Sequence, residues 1–320
     1  MRRSRVLITG ESGHLGYLLA ERLKAMGYHV VNGDFPQLAK HDKNNLPNVF
    51  NYTYPRELDF TNEDVIRKVV LTSMPNIIIH TAAYVGTDKC EADYHGAYIT
   101  NALALDRFTK LLNTFVPDSL FVNFGTTATC DPKSYGLRNP ITETTERGPR
   151  TWYGMTKWQG EQVVKKNCKK WINFLPVFLF NKYPFDNSSI WPKTFIASGQ
   201  CKEFDILLDP RITKQYEWSS NVVDIMIAII KNKDSVNRDV VIAGNERLRF
   251  GVALDIASEI YRAKTGLKLL YNVHPEADYS KYHVADNSLM LKLAGMTESA
   301  FNKKRKSFKK AISEVIESCL

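Results

Sequence analysis

The sequence has no apolar run that approaches the roughly 20 consecutive residues a membrane-spanning helix needs. Cysteine is also scarce: there are five, and no two of them form a C-x-x-C pair or a zinc-knuckle spacing. This pattern favours free thiols in a reducing compartment over a disulfide framework. The apolar run Val6-Leu7-Ile8 after the basic start is too short for a secretory signal. We therefore expect a cytoplasmic protein that does not bind a membrane.

Internal repeats and low-complexity tracts are absent as well. The 320 residues are 44% hydrophobic and 24% charged, which is ordinary for a globular protein and argues against disorder. The net charge of +9 leaves two explanations open, a generally basic surface and an anionic substrate. A basic run at 303–310 lies beside Phe301, Phe308, Ile312 and Val315, which are at helical spacing. We interpret the run as the solvated face of a C-terminal helix and expect no nucleic-acid partner.

Short apolar runs alternate with helical patterns through the first half of the chain. The predicted strands are 6–9, 28–32, 76–80 and 120–124, and helices are predicted at 62–73 and 94–115. Strands that alternate with helices form parallel sheets, and strands buried on both sides are apolar throughout. The sequence therefore predicts an α/β fold, a Rossmann-type doubly wound parallel sheet with a smaller C-terminal lobe.

A glycine-rich turn follows the first predicted strand and opens the first predicted helix. Its members with predicted roles are Gly10, Ser12, Gly13, His14, Leu15 and Gly16. Gly10 permits a sharp turn, Gly13 lets the backbone approach a pyrophosphate, and Gly16 lets helix and strand pack closely. The helix N terminus adds amide donors and a positive dipole end. The turn predicts an NAD(P)-binding Rossmann domain at residues 1–180. Residues 181–320 would then be mainly a substrate-binding lobe, with some segments returning to the first domain.

An acidic residue, Asp34, ends the second predicted strand, where a carboxylate can accept hydrogen bonds from the adenosine ribose. Such a carboxylate repels a 2′-phosphate, so NAD(H) is favoured and NADP(H) is possible, since Lys40 or Arg22 could still reach that phosphate. Asp59, next to Phe60, has two open interpretations. It hydrogen-bonds the adenine, or it caps the helix that follows.

Tyr153 and Lys157 are at positions i and i+4, so they share one face of a helix. Tyrosine has a pKa of about 10, which is too high for acid–base catalysis at neutral pH. A neighbouring ammonium favours the phenolate and should lower that pKa. Thr127 follows strand 120–124 at the carboxyl edge of the sheet, where such folds bind ligands. The three residues form a predicted catalytic set.

Several segments resemble one family, and the resemblance covers nearly the whole chain. Residues 13–16, GHLG, are similar to G-Q-L-G, and residues 82–91, AAYVGTDKCE, are similar to A-A-Y-T-x-V-D-K-A-E. Tyr98 and Asn101 fit Y-x-V-N, and residues 153–161, YGMTKWQGE, fit Y-G-x-x-K-x-x-G-E. On these motifs the chain resembles the extended short-chain dehydrogenase/reductase superfamily and, within it, the dTDP-4-dehydrorhamnose reductase family.

The resemblance implies an oxidoreductase that reduces a nucleotide-activated 4-keto-6-deoxy sugar with NAD(P)H in deoxysugar biosynthesis. Tyr153 would donate the proton, Lys157 would lower its pKa, and Thr127 would hydrogen-bond the sugar oxygen. Tyr153 and Lys157 would also contact the cofactor, as would Thr81, Ala82, Ala83, Tyr84 and Asn101. The substrate contacts would come from Val85, Thr127, Ala128 and Tyr153. A homodimer formed through the helices at 94–115 and 152–166 is implied too.

Departures from the family pattern bear on rival functions. Ala128-Thr129 stands where sugar-nucleotide dehydratases carry an Asp-Glu pair, which disfavours dehydration. A nucleotide-sugar epimerase with tightly held NAD needs only Thr, Tyr and Lys, so it remains open. A non-catalytic regulatory subunit of the same fold, like the methionine adenosyltransferase β subunit, is a third possibility. A 3,5-epimerase/reductase would need a further Cys or His, for which Cys130 is a candidate, although packing is the commoner role of such a cysteine.

Overall fold

The computed structural model describes residues 4–11, 13–32, 63–182, 190–206, 208–274 and 282–320. The chain forms two compact units, each built from three stretches. The first unit comprises Met1–Thr129, Pro149–Phe174 and Ile230–Asp239, and the second comprises Cys130–Gly148, Leu175–Ile229 and Val240–Leu320. A short stretch of the second half therefore returns to the first unit, and a stretch of the first half belongs to the second. This division is finer than a single boundary at residue 180.

The strands in the described ranges are β1 (Arg5–Thr9), β2 (His29–Asn32), β3 (Ile77–His80), β4 (Leu120–Phe124), β5 (Lys170–Pro176), β6 (Phe178–Phe180), β7 (Phe204–Ile206), β8 (Thr213–Trp218), β9 (Arg238–Ile242), β10 (Arg247–Arg249), β11 (Tyr271–Val273) and β12 (Tyr282–His283). The helices are α1 (His14–Ala25), α2 (Glu63–Ser73), α3 (Thr87–Ala92), α4 (Tyr94–Tyr98), α5 (Ala104–Phe115), α6 (Trp152–Asn167), α7 (Ile190–Gly199), α8 (Ser219–Lys231), α9 (Phe250–Thr265), α10 (Ser288–Ala294), α11 (Glu298–Lys304) and α12 (Phe308–Cys319).

The main sheet has six strands in the order β2-β1-β3-β4-β5-β9. β1 pairs in parallel with both β2 and β3, and the parallel pairing continues through β4 to β5. Val6, Leu7 and Ile8 in β1 are each at most 1% exposed, as expected for a strand covered on both faces. The chain thus winds outward from β1 in two directions, and the predicted doubly wound α/β fold is confirmed.

The predicted elements of the first half are observed with small shifts. The four predicted strands correspond to β1–β4, each displaced by at most one residue at an end. The predicted helix 94–115 is present as α4, a π-helical turn at Ile99–Leu103 and α5. A π-helical turn inside an α-helix is rare and is often found at functional sites.

The second unit has its own aromatic core around β8. This strand pairs in parallel with β6 and β12 and antiparallel with β10. Trp191, Tyr216, Phe250 and Phe308 are each at most 2% exposed and pack in one cluster that also includes residues of α9 and α12. No helix in the described ranges is long and apolar enough to cross a membrane.

The basic run at 303–310 is divided between two helices. α11 ends at Lys304, and α12 begins after Ser307, whose side chain accepts a hydrogen bond from Lys310 N. Arg305 and Lys306 lie between the helices and pair with Glu246 and Glu314, at 2.9 and 2.5 Å. The prediction of a single solvated helix face is therefore wrong for these two residues. Only the solvent exposure is confirmed for the other lysines of the run, which lie on two different helices, namely Lys303, Lys304, Lys309 and Lys310.

Candidate active site

The glycine-rich turn between β1 and α1 is packed too closely for larger side chains. Gly10 has a φ of 77°, and a Cβ there would lie 2.5 Å from Ala82 N. A Cβ on Gly16 would lie 2.1 Å from the Gly10 carbonyl oxygen, and Gly13 N donates a hydrogen bond of 2.9 Å to that oxygen. The glycines at 10 and 16 are therefore required by close contact, as the sequence predicted.

The N terminus of α1 is suited to a phosphate group. Its cap residue is Gly13, which makes no side-chain capping bond, and its first turn carries no acidic residue. His14 and Leu15, in that first turn, are half-buried. Amides at a helix N terminus and the positive dipole end attract anions. The described residues of the turn therefore fit the pyrophosphate of a dinucleotide.

The end of β3 supports this turn. Thr81 Oγ1 donates hydrogen bonds to the carbonyl oxygens of Thr9 and Gly10, at 2.8 and 3.1 Å. Ala82 N donates to Thr9 O at 3.1 Å. The predicted cofactor residues Thr81 and Ala82 thus lie against the glycine-rich turn.

Asn101, in the π-helical turn, holds the segment that follows β3. Its side chain accepts from Tyr84 N at 2.8 Å and donates to Tyr84 O at 3.0 Å. It also donates to Thr156 Oγ1, in α6, at 3.1 Å. A Cβ on Gly160 would lie 2.5 Å from Asn101 O, so α6 packs directly on this turn. Asn101 therefore ties the segment of Ala83 and Tyr84 to the helix that carries the predicted catalytic pair.

Tyr153 and Lys157 lie in α6, and the side chain of Tyr153 forms a hydrogen bond with that of Thr126. Thr126 was not among the predicted residues. Thr127 is 1% exposed and begins a 3-10 turn, Thr127–Thr129, just after β4. A Cβ on Gly154 would lie 2.6 Å from Ala128 O, so α6 approaches this turn closely. The structure therefore brings the turn that carries Thr126 and Thr127 against the helix that carries Tyr153 and Lys157, and it adds Thr126 to the candidate site.

The Lys157 ammonium is enclosed by titratable side chains. Lys157 is 7% exposed, and burial lowers its pKa to about 8, against the opposing effects of Glu161 and Cys90. Cys90 is fully buried, and burial raises the pKa of its thiol to about 11. At neutral pH this places a charged lysine beside a neutral thiol and a buried carboxyl group.

Burial raises the pKa of Tyr153 to about 12, although the hydrogen bond from Thr126 opposes that change. The expectation that Lys157 would lower this pKa below its ordinary value is therefore wrong. Desolvation of a phenolate outweighs the hydrogen bond that favours it. Tyr153 consequently keeps its proton throughout the physiological range.

His80, at the end of β3, is a second residue that sequence reasoning missed. A hydrogen bond of 2.7 Å joins its Nδ1 to Thr9 Oγ1, and its ring packs against Phe108 and Phe121. Burial, and then the Lys157 ammonium, lower the pKa of His80 to about 3, so the imidazole stays neutral. The available signal was a polar residue that ends the apolar run Ile77-Ile78-Ile79. The same signal marks Thr9 at the end of β1.

Four predicted cofactor-binding residues lie outside the described residues, namely Ser12, Asp34, Asp59 and Phe60. Val85, a predicted substrate contact, is 41% exposed. Cys130 is 1% exposed and packs in an apolar cluster of the second unit with Ile141, Leu175, Val177, Val241, Ala243 and Ala285. Its surroundings favour the packing interpretation of that cysteine.

A doubly wound parallel sheet, a glycine-rich turn after β1 and a Tyr-x-x-x-Lys pair beside threonine hydroxyls define the class, a short-chain dehydrogenase/reductase fold. The family follows from comparison with known sequences. The chain belongs to the family described as the RmlD substrate binding domain, whose family model matches residues 4–320. The resemblance drawn from the sequence motifs is thereby confirmed.

Two relatives and one solved structure illustrate the similarity. The dTDP-4-dehydrorhamnose reductase of Aggregatibacter actinomycetemcomitans is 28% identical over 181 residues, 56% of this chain and 53% of that protein. Methionine adenosyltransferase 2 subunit beta of Xenopus tropicalis is 25% identical over 243 residues, 68% of this chain and 67% of that protein. UDP-glucuronic acid 4-epimerase of Bacillus cereus, in complex with UDP-glucuronic acid and NAD, matches with a TM-score of 0.78 at 18% identity over 98% of both chains. This structural likeness is one of fold. The chain spans about half the length of the first curated relatives it matches.

Proposed function

We propose that this protein is a cytoplasmic oxidoreductase that reduces the 4-ketone of a nucleotide-activated 6-deoxy sugar. The observation that carries the proposal is that the helix of Tyr153 and Lys157 packs against the turn of Thr126 and Thr127, in the unit that also holds the glycine-rich turn. The family match and the reductase relative support the same reaction.

The cofactor we propose is a nicotinamide dinucleotide. The turn from Gly10 to Gly16 would hold its pyrophosphate, and Lys157, with the segment from Thr81 to Tyr84, would hold the rest of the molecule. When bound in its reduced form it supplies the hydride for the ketone carbon. We propose NAD(H) over NADP(H), because the position of Asp34 in the sequence is typical of a carboxylate that binds the adenosine ribose and repels a 2′-phosphate.

Tyr153 is the proposed proton donor. Because its pKa is raised to about 12, it holds a proton at Oη until the carbonyl oxygen gains negative charge. Lys157, whose pKa of about 8 keeps it charged at neutral pH, stabilises the phenolate that remains. Thr127, Ala128 and Val85 are the proposed substrate contacts. Thr127 would donate a hydrogen bond to the sugar oxygen.

Absorbance at the nicotinamide band tests this function. The protein is mixed with NADH or NADPH and with dTDP-, UDP- or GDP-linked 4-keto-6-deoxy sugars. We expect one sugar to oxidise the cofactor, and Tyr153→Phe to slow that reaction about 10²- to 10⁴-fold, because a general acid is removed. Retained melting temperature and cofactor binding of the variant are the controls. Full activity of Tyr153→Phe would contradict the proposed role of this tyrosine.

One second function has an observation in its favour. The match to methionine adenosyltransferase 2 subunit beta covers more of this chain than the match to the reductase, 68% against 56%. On that alternative the chain is a subunit that binds a dinucleotide without turning over a sugar. Cofactor binding with no oxidation across the sugar panel would favour it. Cofactor retained through purification, with sugar inversion and no net oxidation, would favour an epimerase instead.

We also propose a homodimer through the segments 94–115 and 152–166. Tyr94 and Trp152 stack at 5.1 Å between ring centroids, and they are 54% and 45% exposed. Exposed stacked aromatic side chains are frequent at protein interfaces. Sedimentation of the purified protein at several concentrations measures the oligomeric state.

A further inference from the structure

The segment after β4 carries two adjacent threonines, and both are buried. Thr126 is 9% exposed and Thr127 is 1% exposed. The resemblance to the reductase family assigns a catalytic role to Thr127 alone. The side chain of Thr126 forms a hydrogen bond with that of Tyr153 as well, and the resemblance assigns it no role.

The hydroxyl of Thr126 is oriented by its own turn. Ala128 N donates to Thr126 Oγ1 at 3.2 Å. The backbone carbonyl of Thr126 accepts from Thr129 N at 3.3 Å and from Thr129 Oγ1 at 2.8 Å. A hydroxyl has one proton to donate. Because its oxygen already accepts from Ala128, the proton of Thr126 is available to Tyr153 Oη.

Tyr153 is held against this turn by the start of α6. Thr151 caps the helix by accepting from Gly154 N at 3.1 Å. A Cβ on Gly154 would lie 2.6 Å from Ala128 O and 2.9 Å from Pro149 Cβ, so only glycine permits this approach. Close packing thus holds the start of α6, which carries Tyr153, against the turn that carries Thr126.

We propose that Thr126 is a further catalytic residue, which donates a hydrogen bond to Tyr153 Oη and stabilises the negative charge that forms there. This proposal rests on the proposed function, with a reduced nicotinamide dinucleotide as the hydride source. When the carbonyl is reduced, the O–H bond of Tyr153 breaks and an O–H bond forms on the sugar oxygen. The electron pair of the broken bond stays on the phenol oxygen. Thr126 keeps its own proton and donates to that oxygen.

The stabilisation is useful because the surroundings of Tyr153 disfavour charge. Burial alone makes ionisation of this tyrosine difficult, and a hydrogen bond is strongest when one partner is ionised. A hydrogen bond to a charged group is worth about 10- to 100-fold in an equilibrium of this kind. Thr126 and the Lys157 ammonium would share the stabilisation of one phenolate.

A titration that needs no substrate tests the contact. A fluorinated tyrosine, whose phenol is more acidic than that of tyrosine, is incorporated at position 153, and its ionisation is followed by fluorine NMR. We expect Thr126→Val to raise the pKa of this residue by about one unit, because the hydrogen bond to the phenolate is lost. Thr126→Ser, which keeps the hydroxyl, should restore the original titration. If Thr126→Val does not fold, Thr126→Ala takes its place. An unchanged titration in the valine or alanine variant would overturn the proposal.

Kinetics with the reducible sugar give a second, independent readout. Thr126→Val should lower kcat about 10- to 100-fold with little change in KM, since Thr126 contacts the proton donor and not the sugar. Thr127→Val should raise KM as well. An effect of Thr126→Val on KM alone would contradict the assignment. Because the titration needs no substrate, absence of sugar reduction would refute the proposed function and leave the Thr126–Tyr153 contact to be judged separately.

Discussion

Each unit buries a titratable side chain, Lys157 in the first and Glu217 in the second, and the two environments differ. In the first unit, Lys157 is 7% exposed and lies near His80, Cys90 and Glu161, groups that can themselves gain or lose a proton. In the second unit, Glu217 is fully buried. One of its oxygens accepts hydrogen bonds from Asn221 and from Trp218 N, and the other lies 3.4 Å from Arg305 Nε.

The groups around Glu217 join the segment that links α11 to α12 to the rest of the second unit. Asn221 donates to Lys306 O at 3.0 Å and accepts from Lys306 N at 2.9 Å. Arg305 also pairs with Glu246 at 2.9 Å, and that carboxylate accepts from Phe308 N. The contrast shows what separates a structural charge from a catalytic one. Glu217 has three partners within its own unit, a backbone amide, the Asn221 side chain and the Arg305 guanidinium, whereas the groups near Lys157 can themselves gain or lose a proton.

Removal of the cation beside Glu217 should give the largest change in stability. Arg305→Met leaves a buried carboxylate without its ion pair, and we expect the free energy of unfolding at pH 8 to fall by about 3–5 kcal/mol. Chemical denaturation measures this. The matched control is Lys304→Met, at an exposed neighbouring position, which should change the value by less than about 0.5 kcal/mol. Equal effects of the two substitutions would show that the cluster contributes nothing specific.

The stability of the second unit should depend on pH through Glu217. Burial raises the pKa of this carboxyl from 4.5 to about 7, against the opposing effect of Arg305. The folded state therefore holds a proton that the unfolded state has released, and the contribution to stability is present below pH 4.5 and is lost as the pH rises through about 7. The loss amounts to about 3 kcal/mol. Denaturation of the wild type and Glu217→Gln at pH 5 and pH 8 measures it. If the free energy of unfolding changed by the same amount between pH 5 and pH 8 in both proteins, the assignment to Glu217 would be contradicted.

Alanine substitutions at two glycines, one in each unit, should give the smallest changes in stability. The two variants should differ in how they affect NADH binding. A Cβ on Gly16 would lie 2.1 Å from Gly10 O, and one on Gly244 would lie 1.6 Å from Glu217 Oε2. Each alanine substitution should cost about 1–3 kcal/mol of stability through overpacking. Only Gly16→Ala should also weaken NADH binding, because it distorts the proposed pyrophosphate turn. Fluorescence titration with NADH measures this difference. Equal NADH affinities of the two variants would contradict the assignment of the turn to the cofactor site.

Local patterns were enough to predict the first four strands of the parallel sheet and the tight packing of its glycine-rich turn. Strands β1 to β4 are short apolar runs, Gly10 and Gly16 are required at a turn, and Tyr153 and Lys157 are one helical turn apart. The remaining contacts join residues that are distant in sequence. A hydrogen bond joins His80 to Thr9, which is 71 residues away in the sequence. Another joins Asn221 to Lys306, at a separation of 85 residues. The contact between Thr126 and Tyr153 could not be predicted either, because the direction of the Thr126 hydroxyl depends on the turn that follows β4.

The most direct test follows the hydride and the proton together. NADH carrying deuterium at the transferable position is incubated with the sugar that oxidises it, and the product is examined by mass spectrometry and NMR. We predict one deuterium at the sugar C4 with the wild type, and a rate about 10²- to 10⁴-fold lower with Tyr153→Phe. A sugar inverted at C4 without deuterium, or the same labelling rate in Tyr153→Phe, would contradict a reductase that uses Tyr153 as its proton donor.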